Sequence, residues 1–238
     1  MKVFALVLLY ACVASPVLAA TFNVSPIRVD LSPRRPTLPL SVTNDSDEAI
    51  VIQAQAVRWV QDEVEDIYTD TNEVLATPPI FTVPAHGSQI VRVGLRRVFD
   101  QGKELSYRLY LTEIPGAAKS ESIGIQMRLR IALPIFASSA STAPLLKWSI
   151  FTRQGVQSLA VKNEGNSHAL ISNVRLMPTD SENLIARQPT PAYLLPGTIR
   201  AWPLKLESGK TIGPEAIRLQ AYVDAGDVTI KLTPNSTD

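Results

Sequence analysis

The chain has 238 residues, 45% hydrophobic and 19% charged, with 23 basic against 22 acidic side chains and a formal net charge of +1. That balance lacks the basic excess of a nucleic-acid binder, and the length allows one or two domains, each with its own core. Its 18 prolines punctuate short apolar segments from end to end, a pattern of all-β proteins.

Residues 1–20 read as a secretory signal peptide. Lys2 supplies a positive charge, Val3 to Val13 is apolar almost throughout, Pro16 breaks the run, and Val17-Leu18-Ala19-Ala20 offers small residues for cleavage after Ala19 or Ala20. The apolar core is shorter than the about 20 residues a membrane span needs. A retained anchor is the alternative. Acylation at Cys12 is a weaker one, because Tyr10 suits a lipid-attachment box poorly. Cys12 is the only cysteine, so the mature chain is expected to hold together by its core and without disulfides. No second long apolar segment follows, and stable membrane insertion is not expected.

Phe22 to Leu31 alternates and predicts a strand, in which Pro26 suits an edge or a bulge because proline cannot donate to a ladder. Leu38 to Thr43 is a second strand, followed by the turn cluster Asn44-Asp45-Ser46-Asp47. Ile50 to Val60 is a long strand. Gln61 to Asn72 is acidic and polar and reads as an exposed loop. Thr77 to Ala85, with Pro78, Pro79 and Pro84, reads as a rigid connector. A cis bond before Pro79 has the ordinary prior of about 5–6%. Gln89 to Leu95 and Ser106 to Glu113 are strands, joined to the next by a short loop over Ile114 to Ser120.

Ile123 to Ile135 is the most regular stretch. Every odd position carries a large apolar side chain, and between them stand Gly124, Gln126, Arg128, Arg130, Ala132 and Pro134. Period-2 alternation of this length predicts a strand about twice the usual five or six residues. Such a strand has more apolar surface than its own domain can bury, and a sheet edge of this kind can take a partner by strand addition. The competing reading is that the row packs in the chain's own core, which is the expectation for Ile131 to Ile135.

Ala137 to Pro144 is small and polar and reads as an interdomain linker. Shorter strands follow at Lys147 to Arg153, Val156 to Asn163, Ala169 to Met177, Arg200 to Glu207, Ile217 to Val223 and Val228 to Leu232, with a Pro196-Gly197 turn among them. No segment has helical periodicity. Each half is about the size of an immunoglobulin-like sandwich.

Motifs for chemistry are missing. His86 and His168 are the only histidines, and without a mature cysteine a zinc site would need both of them and carboxylates. No phosphate loop or nucleophile elbow occurs. Asp62, Glu63, Glu65 and Asp66 lack the spacing and glycine of a calcium loop. No catalytic, metal-ligating or cofactor-binding residues are assigned, and an enzyme is not expected.

Four stretches resemble the PapD-like periplasmic chaperones of chaperone–usher pilus pathways. They are Val24-Ser25-Pro26-Ile27-Arg28-Val29, the run from Pro78 to Val93 with its Pro-Pro, Val-Pro-Ala and Gln-x-Val-Arg elements, Tyr107 to Pro115 ending in Glu-Ile-Pro, and the Ile123–Ile135 strand. The resemblance is specific over residues 22–136. It implies an all-β chain of two immunoglobulin-like β-sandwich domains joined at an angle: an N-terminal chaperone domain over 21–137, a linker over 138–144 and a C-terminal domain over 145–238. The wording of the Pro-Pro and Glu-Ile-Pro stretches is similar to the archaic branch, associated with spore-coat-U-like subunits.

The implied function is to bind pilus subunits in the periplasm, fill their open groove with a donated strand and deliver them to an outer-membrane usher. Ile123, Ile125 and Met127 are the implied groove-filling side chains, with Leu129 a fourth candidate. The family anchors the subunit's C-terminal carboxylate with two basic side chains, and Arg28 stands at the first place. At the second the register puts Ala132, a departure from the family, which leaves Arg130 and Arg108 as candidates. A structural or adhesive subunit of the fibre is the alternative. It would need an incomplete sandwich and its own donor extension.

Overall fold

The structure is a computed structural model that describes residues 22–62, 65–114, 128–139, 142–188, 191–210 and 212–234. Ten strands make up its first half: β1 (Phe22–Ser25), β2 (Val29–Leu31), β3 (Thr37–Asn44), β4 (Ile50–Gln61), β5 (Asp66–Asp70), β6 (Val74–Thr77), β7 (Ile80–Val83), β8 (Ser88–Leu95), β9 (Leu105–Ile114) and β10 (Arg130–Ala137). One sheet runs β1-β3-β8-β6. The other runs β2-β10-β9-β4-β5, with β7 also paired to β4. Their inner faces bury Leu40, Val42, Val91 and Val93 against Ile52, Leu109, Leu111 and Ile135. This is a two-sheet sandwich around one core.

Alternation dictates which side chains meet. Along β10, Leu133 and Ile135 lie opposite Leu109 and Tyr107 of β9, and both are fully buried. The expectation that Ile131 to Ile135 faces the chain's own core is met, with Ile131 partly buried at its margin.

The second half has β11 (Leu146–Arg153), β12 (Val156–Asn163), β13 (Ala169–Pro178), β14 (Ala186–Gln188), β15 (Ala192–Leu194), β16 (Ile199–Pro203), β17 (Ile217–Val223) and β18 (Val228–Leu232). A β11-β12-β16 sheet faces a β14-β13-β17-β18 sheet, with β15 beside β13. Ile150, Leu159, Val161, Ile171, Leu176 and Leu219 form a separate core. Both halves use the same device at a strand end. The buried amide of Asn44 donates to the carbonyls of Glu48, Val83 and Pro84. That of Asn163 donates to Ser167 and Leu194. Chain reversal is thereby paired without exposing polar groups to the core.

Several expectations are corrected. Phe22 to Leu31 is two strands, because the chain crosses between sheets after Pro26: β1 runs antiparallel to β3, whereas β2 runs parallel to β10. Gln61 to Asn72 is no plain loop. Asp62 accepts the Glu65 N–H at 2.7 Å, and β5 returns along β4 with Tyr68 opposite Trp59. The connector Thr77 to Ala85 contains β7, whose Phe81 and Val83 pair with Ile52 and Ile50. Among the described residues cis bonds stand at Ser25–Pro26 and Thr77–Pro78, and the bond before Pro79, left open by the sequence, is not one of them. Strands β6, β14 and β15 were not expected, and β16 ends at Pro203 rather than Glu207. At the junction of the halves, a Cβ on Gly165 would stand 2.3 Å from the Ala143 carbonyl oxygen, so only glycine lets the connecting segment pass this close. Among the described residues no helix is long and apolar enough to cross a membrane.

Candidate functional site

Because Leu109 and Leu111 point into the core, Arg108 and Tyr110 must point out of the opposite face of β9. On that face β10 contributes Arg130, Ala132, Pro134 and Phe136, paired respectively with Thr112, Tyr110, Arg108 and Ser106. Trp59 joins them from β4 and Tyr68 from β5. The second sandwich closes one end: Tyr193 and Leu195 pack on Trp59 and Phe136 in a small apolar cluster.

This face is a ladder of rings and guanidinium groups. The Arg108 Cζ lies 3.9 Å from the centre of the Trp59 ring and 5.6 Å from that of Tyr193. Trp59 stacks on Tyr68 at 6.3 Å, and Tyr68 meets Tyr110 edge-on at 6.2 Å. Arg130 caps the far end, 3.8 Å over Tyr110. Cation–π contacts of this kind are worth about 0.5–2 kcal/mol each, depending on desolvation. The buried Nε of Arg108 has no hydrogen-bond partner among the described residues.

Arg28 sits where the chain crosses from β1 to β2. Its Nε donates to Asp30 at 3.0 Å, and its Nη1 lies 3.4 Å from Asp224 of the second sandwich. Burial opposes its charge, yet Asp30, Tyr193 and Asp224 more than offset this and raise its pKa. Burial pushes the Tyr193 phenol up, while Arg28 and Arg108 both pull it down. The charges of both arginines act on this one phenol, which stays neutral. Tyr68 is raised too, by burial first, against the pull of Arg108.

The joint between the sandwiches is polar at its margin. Gln61 donates to the Tyr193 carbonyl at 2.9 Å and accepts from the Leu195 N–H at 2.8 Å and the Thr198 hydroxyl at 3.1 Å. Arg200 reaches Asp66 at 2.6 Å. The His168 ring stacks on Phe136 at 3.4 Å, and its Nδ1 lies 2.8 Å from Glu104.

Of the predicted residues, Arg108 lies beside Tyr193 and Arg28 beside Asp224 of the same sandwich, and Arg130 stands further along the Arg108 face. Ala132 is exposed and offers no charge there. Leu129 is partly buried against the first core, and its carbonyl accepts the Glu113 N–H at 3.0 Å. Ile123, Ile125 and Met127 lie outside the described residues. Sequence reasoning missed Trp59, Tyr68, Tyr110, Tyr193 and Asp224. Trp59 did leave a signal: Ile50, Ile52 and Ala54 occupy the even, core phase of β4, and Trp59 stands in the odd phase. Among the described residues no three His, Cys, Asp or Glu side chains are grouped to hold a metal.

Comparison with known proteins places this geometry. The profile of a family described as "Pili and flagellar-assembly chaperone, PapD N-terminal domain" matches residues 21–142. A search of curated proteins returned no match. Solved structures agree in fold. A chain of the CsuC–CsuE chaperone–tip adhesion subunit pre-assembly complex, from archaic chaperone–usher Csu pili of Acinetobacter baumannii, superposes with a TM-score of 0.68 at 21% identity, covering 92% of this chain and all (100%) of that one. A chain of the Salmonella enterica SafA pilin–SafB chaperone complex gives 0.62 at 14% identity, covering 92% and 98% respectively. The Pseudomonas aeruginosa CupB2 chaperone gives 0.57 at 15%, covering 90% and 100%. With an all-β fold of two immunoglobulin-like sandwiches and a profile match over just over half its length, the chain belongs to the PapD-like family of pili and flagellar-assembly chaperones.

Proposed function

We propose that this chaperone captures fimbrial subunits in the periplasm by strand addition along β10 and its N-terminal extension, and passes them to an outer-membrane usher. One observation carries the reading. Strand β2 covers the outer edge of β10 only from Ile135 to Ala137, so from Arg130 to Pro134 that edge pairs with no described strand. An open edge presents N–H and C=O groups to an incoming chain, and alternate side chains then fill pockets in the partner. The apolar row Ile123, Ile125 and Met127 precedes this edge in sequence and would fill the subunit groove, with Leu129 following it. The printed descriptions of similar structures, a chaperone with a tip adhesion subunit and a chaperone with a pilin, support this use of the fold.

Arg28 and Arg108 are the proposed anchor for the subunit's terminal carboxylate. Arg108 lies 5.6 Å from the Tyr193 ring and Arg28 3.4 Å from Asp224, so both cations border the second sandwich. A fork of two arginines fixes a carboxylate in register as well as holding it. Arg130, committed to the face of Tyr110, is better placed to stiffen the strand. The sequence begins with the features of a cleavable signal, which suits the periplasm, and its motif wording suits the archaic branch. Hydrogen exchange tests the reading: cognate subunit should slow amide exchange over residues 128–134, and unchanged exchange there in a purified complex would refute it.

A further inference from the structure

The Asp224 carboxylate is placed between a guanidinium and an imidazole. Its Oδ2 faces Arg28 Nη1 at 3.4 Å and His168 Nε2 at 3.6 Å. Its Oδ1 accepts the Leu170 N–H at 3.1 Å, and its own N–H donates to the Leu170 carbonyl at 3.1 Å. The backbone grip fixes where the residue stands, while Oδ2 can turn toward either neighbour.

His168 is the less usual of these. Its side chain is 10% exposed. Glu104, itself 4% exposed, takes Nδ1 at 2.8 Å and the His168 backbone N–H at 2.9 Å. Phe136 stacks on one face of the ring and Tyr193 stands 5.8 Å away. Nε2 is buried and has no hydrogen-bond partner among the described residues. Buried polar atoms are seldom left in that state. The titratable and charged groups around the ring are Glu104, Asp224 and Tyr193, with Arg28 behind Asp224.

On Arg28, Asp30 holds Nε, so the Nη edge is the one a further carboxylate would meet. Asp224 lies on that edge. Resting on the anchor reading of Arg28 given above, we propose that Asp224 is a built-in stand-in for the subunit carboxylate, and that His168 is the berth to which it turns when the real one arrives. A protonated Nε2 would donate to Oδ2 in a charge-assisted hydrogen bond after the present 3.6 Å closes by about 0.7–0.9 Å. A neutral Nε2, whose lone pair faces the carboxylate, would leave Asp224 on Arg28. Capture then takes up one proton from solvent, and falling pH favours it.

The probe is sodium acetate, with acetamide as its uncharged counterpart, titrated against the full mature chaperone while the Arg28 and Arg130 side-chain Nε–H signals are followed by NMR. Asp224→Asn keeps the Oδ1 acceptor for Leu170 and removes the charge. It should tighten acetate binding at Arg28 about two- to fivefold, the range set by loss of a competing, partly exposed ion pair, and leave Arg130 unmoved. In the native protein acetate should bind Arg28 more tightly at about pH 6 than at about pH 8, across the range in which an imidazole changes charge. His168→Asn should abolish that difference, and it tests the mechanism even if Asp224→Asn fails to fold. Equal acetate affinity in native and Asp224→Asn proteins, or a pH difference that survives His168→Asn, would overturn the stand-in while leaving the anchor intact. An equal response to acetamide, or no response of Arg28 to acetate in any variant, would overturn the anchor reading and this proposal with it.

Discussion

The Arg108 guanidinium lies 3.9 Å over the Trp59 ring, which holds a cation at the mouth of the joint. A flat, delocalised guanidinium can stack and present donors at its edge, whereas an ammonium cannot do both. Arg108→Lys is therefore expected to fold and to bind subunit weakly. Arg108→Ala should lose subunit capture by about 10- to 100-fold, the equivalent of a charged hydrogen bond worth about 1.5–3 kcal/mol. Pull-down of co-expressed subunit measures this. Capture at native yield by both variants would remove Arg108 from the anchor.

Arg28→Ala should likewise abolish stable capture while the chaperone stays folded, since the side chain is 39% exposed and lies outside both cores. Co-purification read beside a thermal melt separates the two effects. If subunit still co-purifies at native yield, the carboxylate anchor is elsewhere.

Gln61 joins the sandwiches through one donor and one shared acceptor. Gln61→Ala leaves the Leu195 N–H and the Tyr193 carbonyl without the partner seen here. Each polar group left unpaired in a buried setting costs about 1–3 kcal/mol. The loss should appear in urea denaturation, with little effect on the melting of either core. Gln61→Glu keeps the acceptor but sets a carboxylate oxygen against the Asp66 carboxylate and the Tyr193 carbonyl, so it should cost at least as much.

Glu73 gathers Tyr107, Arg58 and Arg97 at 2.7, 2.9 and 2.7 Å. Burial alone would raise its pKa, but the Tyr107 hydroxyl and Arg97 outweigh burial and hold it below the usual carboxylate range. A carboxylate depressed in the folded state stabilises fully above its unfolded pKa, about 4.3, and this contribution is lost as pH falls through the lower folded value. Glu73→Gln should thus lower stability at neutral pH and flatten the acid limb of the stability curve. An unchanged acid limb would mean that the cluster contributes nothing to acid stability.

Much of the fold was legible because strands announce themselves by alternation, and β4, β9, β12 and β17 each have one face buried in a core. What escaped detection had a weaker pattern. Strand β5 is exposed almost throughout, so Ile67 and Tyr68 stand among acidic neighbours without an apolar face to reveal them. Strand β7 is bracketed by prolines that read as a connector, yet Phe81 and Val83 alternate into the core. In the cleft, Arg28, Arg108 and Arg130 were accessible through family motifs. Tyr193 and Asp224 were not, because they come from the other sandwich, and only the packing of Leu195 and Tyr193 on Trp59 brings them near. The Glu104–His168 pair is hidden for the same reason: its members are far apart in sequence and meet only across the joint.

The central claim is that the row Ile123, Ile125 and Met127 enters the subunit and not the chaperone's own core. The triple variant Ile123→Thr, Ile125→Thr and Met127→Thr tests it most directly, because threonine keeps β propensity while each hydroxyl carried into an apolar groove costs about 1–3 kcal/mol. Subunit recovered with the variant should fall by more than about tenfold, with the chaperone's melting temperature within about 2 °C of native, a shift well below what 1 kcal/mol produces in a domain this size. Gln126→Ala, on the opposite phase, should recover subunit normally. Normal protection of subunit by the triple variant would contradict strand donation, and unfolding of the variant on its own would assign the row to the chaperone's core.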